Sequence, residues 1–147
     1  MLRHPGASQI QVAERTFTET SGAGTYTASV VVPADAWILD IIVHGVAVWN
    51  PSGAVDMDVG VTGTATAYFD ITSIKAAGDL LAAESISFSE TGAENGTLQA
   101  TNYARYSATA RTVNGIITAV GTAGTTGRTR MLVVWALPSS STAATKA

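Results

Sequence analysis

The chain offers few residues that could do chemistry. It has two histidines, His4 and His44, and no cysteine. A hydrolytic triad needs an exposed nucleophile, a base and a carboxylate that orients the base. His44 has Asp40 four residues before it, and alternation along an extended chain puts both on one face. Serines are numerous, but none sits in a Gly-x-Ser-x-Gly turn. A histidine on a partly covered sheet face is the simpler reading. Asp56 and Asp58 also share a face. Calcium takes roughly six to eight oxygens, and no Asp-x-Asp-x-Asp-Gly run supplies them, so a solvated strand face is expected there. The glycines at 121, 124 and 127, like Gly60 and Gly63, lead into no Gly-Lys-Ser/Thr and no helix start, which a phosphate cradle requires. Asn95-Gly96-Thr97 is a glycosylation triplet only for a secreted eukaryotic chain. Trp37, Trp49 and Trp135 fall on apolar strand faces, where core packing is favoured over a sugar platform. These residues point to no catalytic site, no metal site and no cofactor.

The elements that must position them are strands. Between Tyr26 and Val61 three apolar runs are separated by Pro33-Ala34-Asp35 and Asn50-Pro51-Ser52-Gly53. Val- and Ile-rich runs bounded by Pro, Gly, Asn and Asp read as strands joined by tight turns. The middle run carries Trp37, Leu39, Ile41, Val43, Gly45, Ala47 and Trp49 on its odd face. Its even face mixes Asp40 and His44 with Ile38, Ile42, Val46 and Val48. The odd face is predicted to enter the core. Val30, Val32, Val59, Met131, Val133 and Trp135 are predicted to join it.

Ile10, Val12 and Phe17 do not share one parity, which predicts a bulge near Ala13 and Glu14. Residues 60–67 read as a loop, 72–81 as the sole helical turn, and 85–89 as a short strand. Residues 97–110 hold one or two strands, with Leu98, Tyr106, Ala108 and Ala110 inward. Asn114-Gly115 between Val113 and Ile116 is a two-residue hairpin signal. Residues 128–137 form the last strand. About eight strands with closely spaced turns predict an all-β fold, an antiparallel β-sandwich that is jelly-roll-like; a barrel fits less well. Residues 1–8 read as a mobile N-terminal arm, 9–138 as a single β-sandwich domain, and 139–147 as a flexible C-terminal tail.

A chain of 147 residues suits one domain with a core large enough to need no disulfide. Its charged fraction of 13% is about half the usual value. Such a surface is either covered in part by other protein or simply rich in neutral Thr, Ser and Ala. No run is long and apolar enough to span a membrane, and the first residues lack a secretory apolar region. Scattered basic residues and a net charge of -3 argue against nucleic-acid binding.

The order of these segments is informative. An apolar strand ends at Pro33, and Ala34-Asp35-Ala36 turns into WILDIIVHGVAVWN. VDMDVGV follows, then Ala67-Tyr68-Phe69-Asp70 and a short polar segment. A Gly/Thr loop precedes the terminal strand RTRMLVVWALP. Over roughly residues 25–138 this resembles small structural proteins of tailed bacteriophages and gene transfer agents, the head decoration (cement) proteins. The resemblance implies a jelly-roll-like sandwich, often a homotrimer, seated on the outer capsid surface of the virion and bound to the major capsid protein. It carries no catalytic residue, so no enzyme activity is expected. Ile38, Asp40, Ile42 and His44 are the candidate interface, a mixed face that a neighbouring subunit would cover; Val46 and Val48 stay open. The alternative station is a tail, tail-tip or spike module binding a host receptor or glycan through exposed aromatics, with Tyr68, Phe69, Tyr103 and Tyr106 as candidates.

Overall fold

In the computed structural model, residues 9–21, 24–75, 80–88, 97–98 and 105–137 are described. The alternating segments form strands: β1 (Gln9–Thr18), β2 (Thr25–Val32), β3 (Trp37–Ala47), β4 (Val55–Val61), β5 (Thr64–Ile71), β6 (Ser85–Ser87), β7 (Thr97–Leu98), β8 (Arg111–Ala119) and β9 (Arg128–Leu137). They make two antiparallel sheets, ordered β1-β9-β3-β6 and β2-β8-β4-β5-β7. The pairing is nested. Hairpin β4·β5 turns at Thr62-Gly63, with Gly63 at φ 88°. Outside it pair β3 with β6, β2 with β8 and β1 with β9. Strands β1–β6, β8 and β9 thus form one long antiparallel hairpin rolled up and closed by β3·β9 and β4·β8, while the short β7 joins the edge of β5. That is a jelly-roll sandwich. Apolar side chains from both inner faces fill the space between the sheets, among them Val30, Val59, Ile117 and Val133.

The centre of β3 departs from the predicted alternation. A register shift between Ile38 and Asp40 inserts Leu39 as an extra residue against β9. A bulge of this kind reverses which parity faces inward. Ile38, Ile41 and Val43 are therefore buried, while Trp37 is 53% and Leu39 39% exposed. Trp37 and Leu39 leave the predicted core, and Ile38 joins it. A second shift falls between Gly45 and Ala47, and Val46 and Val48 are half-buried.

Other departures have equally local causes. β1 pairs with β9 over its whole length without a shift, so no bulge occurs at Ala13. The mismatch in parity is resolved by leaving Ile10 and Val12 exposed while Phe17 is buried. Asn114-Gly115 is no turn but lies mid-strand in β8, opposite Ser29 and Ala28. A Cβ on Gly115 would stand 2.6 Å from Phe17 Cζ and 3.0 Å from Met131 Sδ, so this glycine makes room for core side chains. Residues 64–67 are strand, not loop. Tyr106, Ala108 and Ala110 are exposed, not inward. Residues 72–75 are not helical, and Lys75 bridges to Trp49. Residues 76–79, the predicted arm 1–8 and the predicted tail 139–147 lie outside the described residues.

Candidate interaction surface

The β1-β9-β3-β6 sheet presents an outer face whose residues line up in rows through the registers of its strands. The first row is Ile10, Ala136 and Trp37. The second is Val12, Val134 and Asp40. The third is Glu14, Leu132, Ile42 and Ser87. The fourth is Thr16, Arg130, His44 and Ser85. The face runs from apolar at one end to polar at the other. Ile10 is 68% and Val12 58% exposed, and Ala136, Val134, Leu132 and Ile42 are half-buried. Soluble proteins rarely leave such contiguous apolar surface unused.

The apolar end carries an aromatic pair. Trp37 and Tyr106 pack against each other at a tilt of 42°, with ring centroids 5.3 Å apart, and Tyr106 is 39% exposed. The Tyr106 hydroxyl donates to Asp35 Oδ1 at 2.8 Å. This hydrogen bond to a carboxylate, then desolvation and the negative charge itself, raise the phenol pKa above its ordinary value. Asp35 sits at φ 62° in the turn that delivers Trp37. Arg105 Nη1 donates to the Leu39 carbonyl at 2.6 Å, fixing the bulge. The aromatic pair thus rests on a turn and a bulge held by side chains. Trp, Tyr and Arg are the residues enriched where binding energy concentrates.

The polar end is held by its own bonds. Asp40 Oδ1 accepts from the Ile41 amide at 2.8 Å, and Oδ2 accepts from Ser87 Oγ at 2.6 Å. His44 Nδ1 lies 2.7 Å from Ser85 Oγ. Asp40 is engaged by Ser87 and the backbone, not by His44, so Ser85, His44 and Asp40 do not assemble as a triad. Of the predicted interface residues, Asp40, Ile42 and His44 stand together on the outer face. Ile38 does not; the bulge turns it into the core.

The opposite sheet carries carboxylates. Asp58 pairs directly with Asp70, and Asp56 lies two residues away on the same strand face. Desolvation first, then the charges of Asp70 and Asp56, raise the Asp58 pKa. No group of three potential metal ligands occurs among the described residues. The aromatics proposed for glycan contact divide. Tyr68 and Phe69 are buried, packing edge-on against Phe88, whereas Tyr106 is exposed; Tyr103 lies outside the described residues.

Sequence reasoning missed Trp37, Ile10, Val12 and Val134 as surface residues. A signal existed in β1. Its inward positions, Gln9, Gln11, Ala13 and Arg15, are mostly polar, so Ile10 and Val12 have no core to enter on that parity.

No family model and no curated protein matches the chain. Solved structures do. The chain is similar to one in the capsid asymmetric unit of cyanophage Pam1, at 20% identity and TM-score 0.56, covering 94% of each chain. It is also similar to a chain of the acidic stable capsid of Helicobacter pylori bacteriophage KHP30, at 15% identity and TM-score 0.58, covering 91% of this chain and 93% of that one. What is shared is the fold. At these identities the likeness extends over nearly the full length of each chain without carrying individual residues across.

Proposed function

We propose that this chain is a structural protein of a tailed-phage virion: a decoration, or cement, protein bound to the outer surface of the capsid and contacting the major capsid protein. The observation that carries the reading is the continuous apolar end of the outer β1-β9-β3 face, in a fold shared along its length with chains of phage capsid structures. The chain acts without catalysis, as a homotrimer. Subunits of one trimer cover part of each other's outer face near Asp40, Ile42 and His44. Each trimer bridges neighbouring capsid subunits, and many modest contacts sum through multivalency to resist their separation.

The tail or spike reading rests on exposed aromatics, and burial of Tyr68 and Phe69 removes two of its residues. The Trp37–Tyr106 pair serves a protein contact equally well. The test is to mix the purified protein with capsids that lack it and measure co-sedimentation. Saturable pelleting with the capsids supports decoration; protein that stays in the supernatant at every ratio overturns it.

A further inference from the structure

We infer that the open edge of β1, residues 9–13, pairs with the same edge of a second copy, joining two molecules through one continuous sheet. The inference rests on the strand edge and stands apart from the capsid reading. Among the described residues four strands border the sheets: β1, β6, β2 and β7. Among the described residues β6 and β7 have three and two residues, short enough to offer little template. The edge of β2 is tied to β1 where Arg15 Nε donates to the Ser29 carbonyl at 2.7 Å. β1 is the long one, ten residues in unbroken register with β9.

Natural edges are protected by charges, prolines or bulges. In β1 that protection starts only at Glu14 and Arg15. Arg15 Nη1 donates to the Glu14 carbonyl at 2.8 Å and occupies the edge there. Before it, Gln-Ile-Gln-Val-Ala has no charge, no proline and no bulge. In an antiparallel strand the N–H and C=O of one residue point to the same side, and the side alternates. A Glu14 carbonyl on the open edge therefore places the backbone groups of Ile10 and Val12 there too.

The occupant is a second copy for two reasons. A twofold axis through Gln11 sets Ile10 against Val12 of the second copy and Val12 against its Ile10. All the open backbone groups of both residues then find partners, and the ladder stops before the Arg15 clamp. On that axis Gln11 meets its own counterpart and residues 9, 10, 12 and 13 meet one another, so no like charges are set opposite across this neutral stretch, as they would be on a charged edge. The exposed Ile10 and Val12 side chains would lie together on the outer face, merging the two apolar ends. In a closed oligomer one such edge per copy would link one oligomer to the next.

The test uses the purified chain. Amide exchange at Ile10 and Val12, read by NMR across a dilution series, is expected to slow by at least about tenfold at high concentration, while sedimentation shows the mass doubling. Val12→Lys, at an exposed position, should keep the fold and abolish both effects. Should that variant not fold, Ile10→Lys replaces it with the same readout. Edge amides that exchange at one rate at all concentrations overturn the inference, and so does a lysine variant that still pairs. Ile42→Asp, away from the edge, should leave the protection intact. Failure of capsid co-sedimentation would not alter these readouts, so the two proposals fail separately.

Discussion

Asp58 is where a single residue's environment makes a measurable statement. It faces Asp70 directly across the β4·β5 ladder and is partly desolvated. Like charges set opposite each other on a sheet destabilise it. The raised pKa means the folded state favours the protonated carboxyl. Its stabilising effect is present at low pH and is lost as pH rises through the folded-state pKa. Asp58→Asn should therefore raise the melting temperature at neutral pH, by roughly 0.2–1 kcal/mol of stability. The gain should shrink in high salt and vanish as pH falls below the ordinary carboxylate range. A variant no more stable than wild type at pH 7 in low salt would contradict this. At this scale the sequence was partly legible. The carboxylates of one strand face could be read from Asp56 and Asp58, but Asp70 joins them only through the hairpin at Gly63, which composition disguised as a loop.

At the scale of the element, β3 decides which residues matter. Its strand character, length and bounding turns were legible from Val and Ile content and from Pro33 and Asn50-Pro51. Its facing was not, because one extra residue at Leu39 reverses every side chain before it relative to those after. Nothing local marks that insertion; it exists only in register against β9. The consequence is testable as a contrast. Ile41→Ala should cost about 2–5 kcal/mol, the range for a buried aliphatic. Leu39→Ala, at an exposed position, should cost less than about 1 kcal/mol. Equal losses in chemical denaturation would refute the bulged facing. Ile42, half-buried between Leu132 and Ser87 on the outer face, gives a second test. Ile42→Asp should fold, since its side chain points away from the core, and should lose the trimer contact while keeping the β1 edge pairing, because a carboxylate buried in a subunit contact without a partner costs several kcal/mol. Native mass spectrometry showing the wild-type oligomer would place that contact elsewhere. In β8 the glycine of Asn114-Gly115 misleads for a related reason. Its lack of a side chain serves Phe17 and Met131 from the opposite sheet, not a turn.

For the whole molecule, the nested pairing from β4·β5 out to β1·β9 sets the start of β1 beside the end of β9, with Gln9 opposite Leu137. The start of β1 and the end of β9 therefore lie beside Ala136, Ile10 and Trp37, at the apolar end of the outer face. The sandwich class followed from strand count and turn spacing, whereas the order of strands in each sheet is a long-range property that no short segment encodes. In the proposed decoration role this surface meets a capsid lattice, where repeated sites turn modest contacts into firm attachment. The most direct measurement is the number of copies per particle in purified virions, by quantitative mass spectrometry against the major capsid protein. Decoration predicts on the order of hundreds of copies, in fixed ratio to the capsid subunit, the regime in which multivalent attachment operates. A handful of copies per particle would contradict it.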